Sequence, residues 1–139
     1  MTTFGTDSLK GAPADGHPTG QVDYRLARNA VLSEFRKKRL SRHDVCDAHP
    51  ELVRAARNVG APREDECPIC EGANLRSVSY VFGSRLPAHG RCITSGRELL
   101  KLSQRPTVLT CYVVEVCPDC SWNHLTRMFP VGGRNRIAR

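Results

Sequence analysis

Two Cys-x-x-Cys pairs, Cys67-Pro68-Ile69-Cys70 and Cys117-Pro118-Asp119-Cys120, constrain the chain more than any other feature. Four thiolates offered in two such pairs can close a tetrahedral Zn²⁺ site with Zn–S distances of about 2.3 Å. The competing reading is a redox dithiol, which needs a βαβ setting and a helix opening at the motif to depress a thiol pKa. Neither pair opens a helical pattern. The first precedes a strand-like run and the second lies between two, as in a zinc ribbon, where three antiparallel strands are held at one end by the metal. The expectation is therefore one structural zinc on Cys67, Cys70, Cys117 and Cys120.

Size and cysteine usage agree with a metal staple. A chain of 139 residues has room for one domain with a modest core. Seven cysteines, an odd number with paired spacing, make a poor disulfide framework. Residues 1–20 are polar and Gly/Pro-rich with no apolar run, and the expectation is a cytoplasmic protein.

Along the chain, residues 1–21 are Gly/Pro-rich and polar and read as a disordered arm. Tyr24, Ala27, Val31 and Phe35 recur at helical spacing, with Leu32 at the edge of that face, and predict a helix over 22–40. Ser41 to Asp44 fits a capping box. His49-Pro50-Glu51 opens a compact helix that stops at Gly60. Residues 61–66 read as a linker, 76–82 as a strand, 84–93 as a loop and 94–105 as a short capped helix. The runs 107–116 and 122–131 read as strands, and 132–139 as a basic tail. The predicted fold is α+β: an N-terminal helical hairpin or three-helix unit (22–60), then a three-stranded antiparallel zinc ribbon (61–131) with a short helical insertion.

The remaining thiols and histidines are open to more than one reading. Cys46 and His49 have ligand-like spacing, but a lone cysteine is more often a small buried hydrophobe and a histidine before proline more often a cap. Cys111 lies six residues before Cys117, about 20 Å away along a straight strand, too far to share the site. Cys92, in a loop, can be a substitute ligand, a free thiol or, the favoured reading, a packing residue; His124, four residues past Cys120, can approach the metal but reads as a surface residue. Tyr80, Phe82, Tyr112, Trp122 and Phe129, with Arg76, Arg85 and Arg127, can form either a base-stacking face or, the favoured reading, the core.

A formal charge of +7 favours an acidic partner, unless it serves only solubility. Arg36, Lys37, Lys38, Arg39 and Arg42 are the densest cations. They either complement the end of a helix or contact phosphate or an acidic face. Four protein ligands leave zinc no open position for substrate, and no recognisable catalytic motif is present.

Taken together, Asp23-Tyr24-Arg25-Leu26-Ala27-Arg28, Val45-Cys46-Asp47-Ala48-His49-Pro50-Glu51-Leu52, Arg54-Ala55-Ala56-Arg57-Asn58-Val59-Gly60, Cys111-Tyr112-Val113-Val114-Glu115-Val116-Cys117-Pro118 and Trp122-Asn123-His124 resemble a small actinobacterial family of unknown function. The resemblance covers most of the chain after the arm. It implies an actinobacterial cytoplasmic protein and assigns no site residues. Zinc ribbons as a class often serve transcription or translation. The functional expectation is a non-enzymatic accessory or regulatory protein docking on RNA polymerase or its nucleic acid. The alternatives are a ribosome- or RNA-binding module and a redox sensor in which oxidation of the cysteine pairs ejects zinc.

Overall fold

The computed structural model describes residues 20–133. All but the last two residues of the expected arm, and the tail from residue 134, lie outside the described residues. Six strands form one antiparallel sheet: β1 (Val22–Asp23), β2 (Ala61–Glu66), β3 (Asn74–Phe82), β4 (Arg91–Ile93), β5 (Val108–Val116) and β6 (Asn123–Gly132). Their order is β1-β6-β5-β3-β2, and β4 pairs with the far half of β3, beyond the end of β2. Four helices accompany the sheet: α1 (Arg25–Arg36), α2 (Arg42–Val45), α3 (Pro50–Val59) and α4 (Gly96–Ser103).

The central strand explains the layering. From Leu109 to Val116 every residue of β5 is buried, and successive side chains point to opposite faces. Tyr112, Val114 and Val116 pack with Val78, Tyr80, Leu125 and Met128 under Leu52 and Ala56 of α3. Leu109, Cys111 and Val113 pack on the other side with Val81, Val131 and Leu102 of α4. A third cluster gathers Leu32 of α1 and Val45 of α2 around Leu75, Cys67, Cys117 and Trp122. The helices of 22–60 and the strands of 61–131 thus share two cores.

The structure corrects several expectations. The three strands foreseen around the cysteines are present as β3, β5 and β6, but inside a six-stranded sheet rather than a three-stranded ribbon. The expected linker 61–66 is β2: its Ala-Pro-Arg-Glu-Asp-Glu sequence has no apolar alternation because it is a sheet edge with only Arg63 partly covered. Arg91–Ile93, read as loop, adds β4.

The first helix is shorter than predicted at both ends. Val22 and Asp23 pair with Met128 and Arg127 before it begins. At its far end the Lys37 amide donates to Ser33, Arg39 donates to Glu34, and Lys38 adopts a left-handed φ of 64°. That stop returns Leu40 to the third cluster. Leu32, placed at the edge of the face by periodicity, is its buried centre, whereas Ala27 is exposed.

Local signals for the other helices hold. Ser41 and Asp44 form the capping box of α2. The His49 Nδ1 accepts from the Glu51 amide at the start of α3, and Ser95 caps α4. Gly60 closes α3, where a Cβ would fall 2.5 Å from the Ala56 carbonyl oxygen.

One buried charge ties α1 to the sheet. The Glu115 side chain is 1% exposed. It accepts from Trp122 Nε1 at 2.7 Å and from Arg28 Nε at 2.8 Å, with Arg63 Nη1 3.7 Å away. Arg28→Ala leaves that carboxylate short of its closest cation and should destabilise the fold by about 1.5–3 kcal/mol. The denaturant midpoint reads this directly, and an unchanged midpoint would show that the pair contributes nothing.

Candidate metal centre

Each cysteine pair sits at the turn of a hairpin. The first joins β2 to β3 and the second joins β5 to β6. Because β3 and β5 are neighbours, with Arg76 opposite Val116, the two turns come together at one end of the sheet. The turns repeat one design. The amides of Cys67 and Cys117 donate to the carbonyls of Ala73 and Trp122, and those of Glu71 and Ser121 return to Cys67 and Cys117. Glu71 and Ser121 both take a left-handed φ, 55° and 74°.

The sulfur atoms of Cys67, Cys70, Cys117 and Cys120 all lie within 4.8 Å of one another. Cys67 Sγ is 3.6 Å from Cys120 Sγ, and Cys70 Sγ is 3.7 Å from Cys117 Sγ. A tetrahedron of thiolates about 2.3 Å from a central ion has edges of about 3.8 Å, so the spacing fits an ion at the centre. Backbone amides point at the sulfurs, as thiolates require: Ile69 N to Cys67, Gly72 N to Cys70 and Cys120 N to Cys117, each at 3.4 Å. The set is therefore a candidate four-cysteine metal site.

Electrostatics explain why an ion matters. Burial pushes the Cys67 thiol up to about 11, against the pull of the Cys70 and Ile69 amides. Burial likewise pushes Cys120 well up. At Cys70 burial also acts upward, but the Gly72 amide and the neighbouring thiols outweigh it and lower its pKa. Without a cation Cys67 and Cys120 resist ionisation. A bound cation reverses the balance and displaces the protons.

Other predicted site residues fall in different places. Cys111 is fully buried against α4, and burial raises its thiol to about 12. Cys92 packs at the edge of the α3 core, beside a cleft of about 530 Å³ lined by Val59, Tyr80 and His89. His49 caps α3 and is not brought to the sulfurs. His124, expected at the surface, is 1% exposed and stacks on Trp122 with ring centroids 6.2 Å apart. Tyr80, Tyr112 and Trp122 are core.

Cys46, whose ligand-like spacing to His49 was read as a buried cysteine beside a cap, instead lies beside the four-cysteine set. Its sulfur lies 3.5 Å from Cys120 Sγ. The residues after it are fastened to the second turn: Ala48 N donates to Ser121 O at 3.0 Å, and Asn123 Nδ2 donates to Asp47 Oδ1 at 3.1 Å. Arg57 Nη2 adds a bond to Pro118 O at 2.7 Å. No regular interval links Cys46 to either pair, so only the folded chain brings it there.

The comparisons agree with the resemblance seen in the sequence. The profile of a family of unknown function, DUF5318, matches residues 18–139. The chain belongs to that family. It is 41% identical over 111 residues to uncharacterized protein Rv0049 of Mycobacterium tuberculosis and, to the same extent, to uncharacterized protein Mb0050 of Mycobacterium bovis, covering 80% of this chain and 81% of each relative. No solved structure matches. Among the described residues of this DUF5318 member, no helix is long and apolar enough to cross a membrane.

The site predicts one metal ion per chain by elemental mass spectrometry. Cys67→Ser should lose the ion and much of the folded signal, whereas Cys92→Ser should keep both. Because binding displaces protons from thiols, a fall in pH should release the ion. Metal retention in Cys67→Ser would exclude the site.

Proposed function

We propose that the protein is a non-enzymatic accessory or regulatory protein of the cytoplasm, built around one structural Zn²⁺, which docks on the transcription machinery through a basic turn. Zinc is the ion that a closed, all-thiolate tetrahedral set suits best as a structural centre. The two knuckle-bearing hairpins are read as a zinc ribbon extended into a wider sheet. A four-thiolate ion has no open position, so it would maintain shape rather than activate water.

The observation that carries the docking reading is the turn between α1 and α2. Arg36, Lys37, Lys38, Arg39 and Arg42 are all exposed there. Arg39 pairs with Glu34 at 3.2 Å, across the solvent. The other four make no ion pair among the described residues. Several of them surround a recess with Phe35 and Leu40 in its wall. The shortened helix concentrates these charges on one turn instead of distributing them around a cylinder. Such a patch attracts phosphate or an acidic protein face and adds little to folding. The choice of transcription rests on likeness to zinc ribbons, a fold-level analogy.

The test is affinity purification of the tagged protein from its own cells, with and without nuclease and across salt. Polymerase subunits retained after nuclease treatment support the proposal. Ribosomal RNA and proteins lost with nuclease would replace it with the RNA-binding reading. Replacing Arg36, Lys37, Lys38, Arg39 and Arg42 with glutamine should weaken capture and flatten its salt dependence, by about one unit of slope per lost phosphate contact, while the fold persists. Unchanged capture would refute the role of the turn.

A further inference from the structure

Five cysteine sulfurs meet at one end of the sheet, where a tetrahedral ion uses four. Cys46 is the fifth. It follows the single turn of α2, its amide donating to Arg42 O at 2.7 Å, and its sulfur lies 3.5 Å from that of Cys120. The contact is not incidental to a loose loop. The hydrogen bonds from Ala48 to Ser121 and from Asn123 to Asp47 fasten residues 47–48 to the strand entry beyond Cys120. Val45, on the other side of Cys46, is 1% exposed in the third cluster.

The four ligand candidates differ in access. Cys67 and Cys117 are buried, at 1% and 0% exposed, whereas Cys70 and Cys120 are partly open. A small oxidant therefore reaches Cys70 and Cys120 first, and only Cys120 has a thiol beside it that the ion does not hold. Cys67 is nearly as close to Cys120, at 3.6 Å, but would have to leave the metal to react. Cys46 is free to do so at once.

We propose that Cys46 and Cys120 are an oxidation site at which hydrogen peroxide detaches one metal ligand, Cys120, and Cys46 captures it as a disulfide. The Cys120 thiolate attacks the peroxide oxygen. The O–O bond breaks, Cys120 becomes a sulfenic acid and hydroxide leaves. The Cys46 sulfur then attacks Cys120 sulfur, forming the S–S bond as the hydroxyl departs. The Cys46 proton and the departing oxygen leave as water. In sum two sulfurs lose two electrons and hydrogen peroxide is reduced to water. Closing the bond moves the sulfurs from 3.5 Å to about 2.05 Å apart. Three thiolates remain on an ion that needs four, and it dissociates. The proposal rests on the four-cysteine metal reading and is independent of docking on any partner.

The experiment titrates hydrogen peroxide into the metal-loaded full chain. It follows the released ion with a chromogenic chelator and maps disulfides by mass spectrometry of unreduced peptides. A peptide linking Cys46 to Cys120 should dominate, with one ion released per link and full recovery on adding dithiothreitol and metal. Cys46→Ser should hold one ion before oxidant and give no link. Its recovery should fall by about fivefold or more as Cys120 proceeds to sulfinic acid. Dominant linkage of Cys120 to Cys67 or Cys70 would overturn the proposal, as would wild-type recovery in Cys46→Ser. Loss of metal from Cys46→Ser before oxidant would make Cys46 a ligand and overturn it too. The wild-type disulfide map decides alone should Cys46→Ser not fold. A chain that never loads metal fails the metal reading, whereas a loaded chain without the link fails this proposal only.

Discussion

The convergence of two hairpin turns on one point places four sulfurs within 4.8 Å of one another, and much of the fold rests on that meeting. The sheet creates it: β3 and β5 run side by side with Arg76 opposite Val116, so the β2–β3 and β5–β6 turns come together at one end. The sulfurs also belong to the packing, since Cys67 and Cys117 share a cluster with Leu32, Val45, Leu75 and Trp122. A cation at this point would cross-link residues about fifty positions apart and neutralise thiolates that burial otherwise opposes. In a chain with a small core, such a link can decide whether the sheet end and the helices over it stay ordered.

The same end of the sheet holds the buried charge. Glu115 immediately precedes Val116 and Cys117, and its carboxylate takes hydrogen bonds from Trp122, just past the second cysteine pair, and from Arg28 of α1. Burying an ion pair is a weak source of net stability compared with an apolar pair of similar size. Its effect here is directional, because the Trp122 indole and the Arg28 guanidinium meet only when α1 lies across this end of the sheet. Asp47 on Asn123 and Arg57 on Pro118 fix the approach of the α2–α3 connection in the same way.

The four clustered cysteines, the caps of α2, α3 and α4, and strands β3, β5 and β6 were legible because each is a local signal: a fixed spacing, a side chain reaching its own helix end, or a run without a breaker. What was missed depends on contacts distant in sequence. The polar Ala61–Glu66 segment is a strand because β3 offers it a ladder, not because its residues favour one. The first helix stops early because Leu40 is drawn into a core assembled from the far end of the chain. His124 looked polar enough for the surface, yet its place in β6 beside Trp122 buries it. Cys46 had a ligand-like spacing only to His49, whereas its neighbour in space, Cys120, is 74 residues away.

The short connection between α1 and α3 holds two features that the sequence treats separately. The exposed cations occupy its first part, Cys46 follows a single helical turn later, and the amide of Cys46 is bonded to the carbonyl of Arg42 itself. A capping box at Ser41 and Asp44 closes this four-residue helix. Cys46 and Arg42 are thus joined by one hydrogen-bonded turn, with Val45 buried in the third cluster beneath it. Coupling between two sites needs an element with two arrangements that both sites bias. Here that element would be α2, with the sulfur chemistry acting at one end and the basic turn at the other. A chain in which α2 stays fixed while Cys120 changes would keep the two features independent, so the position of α2 is where their connection is decided.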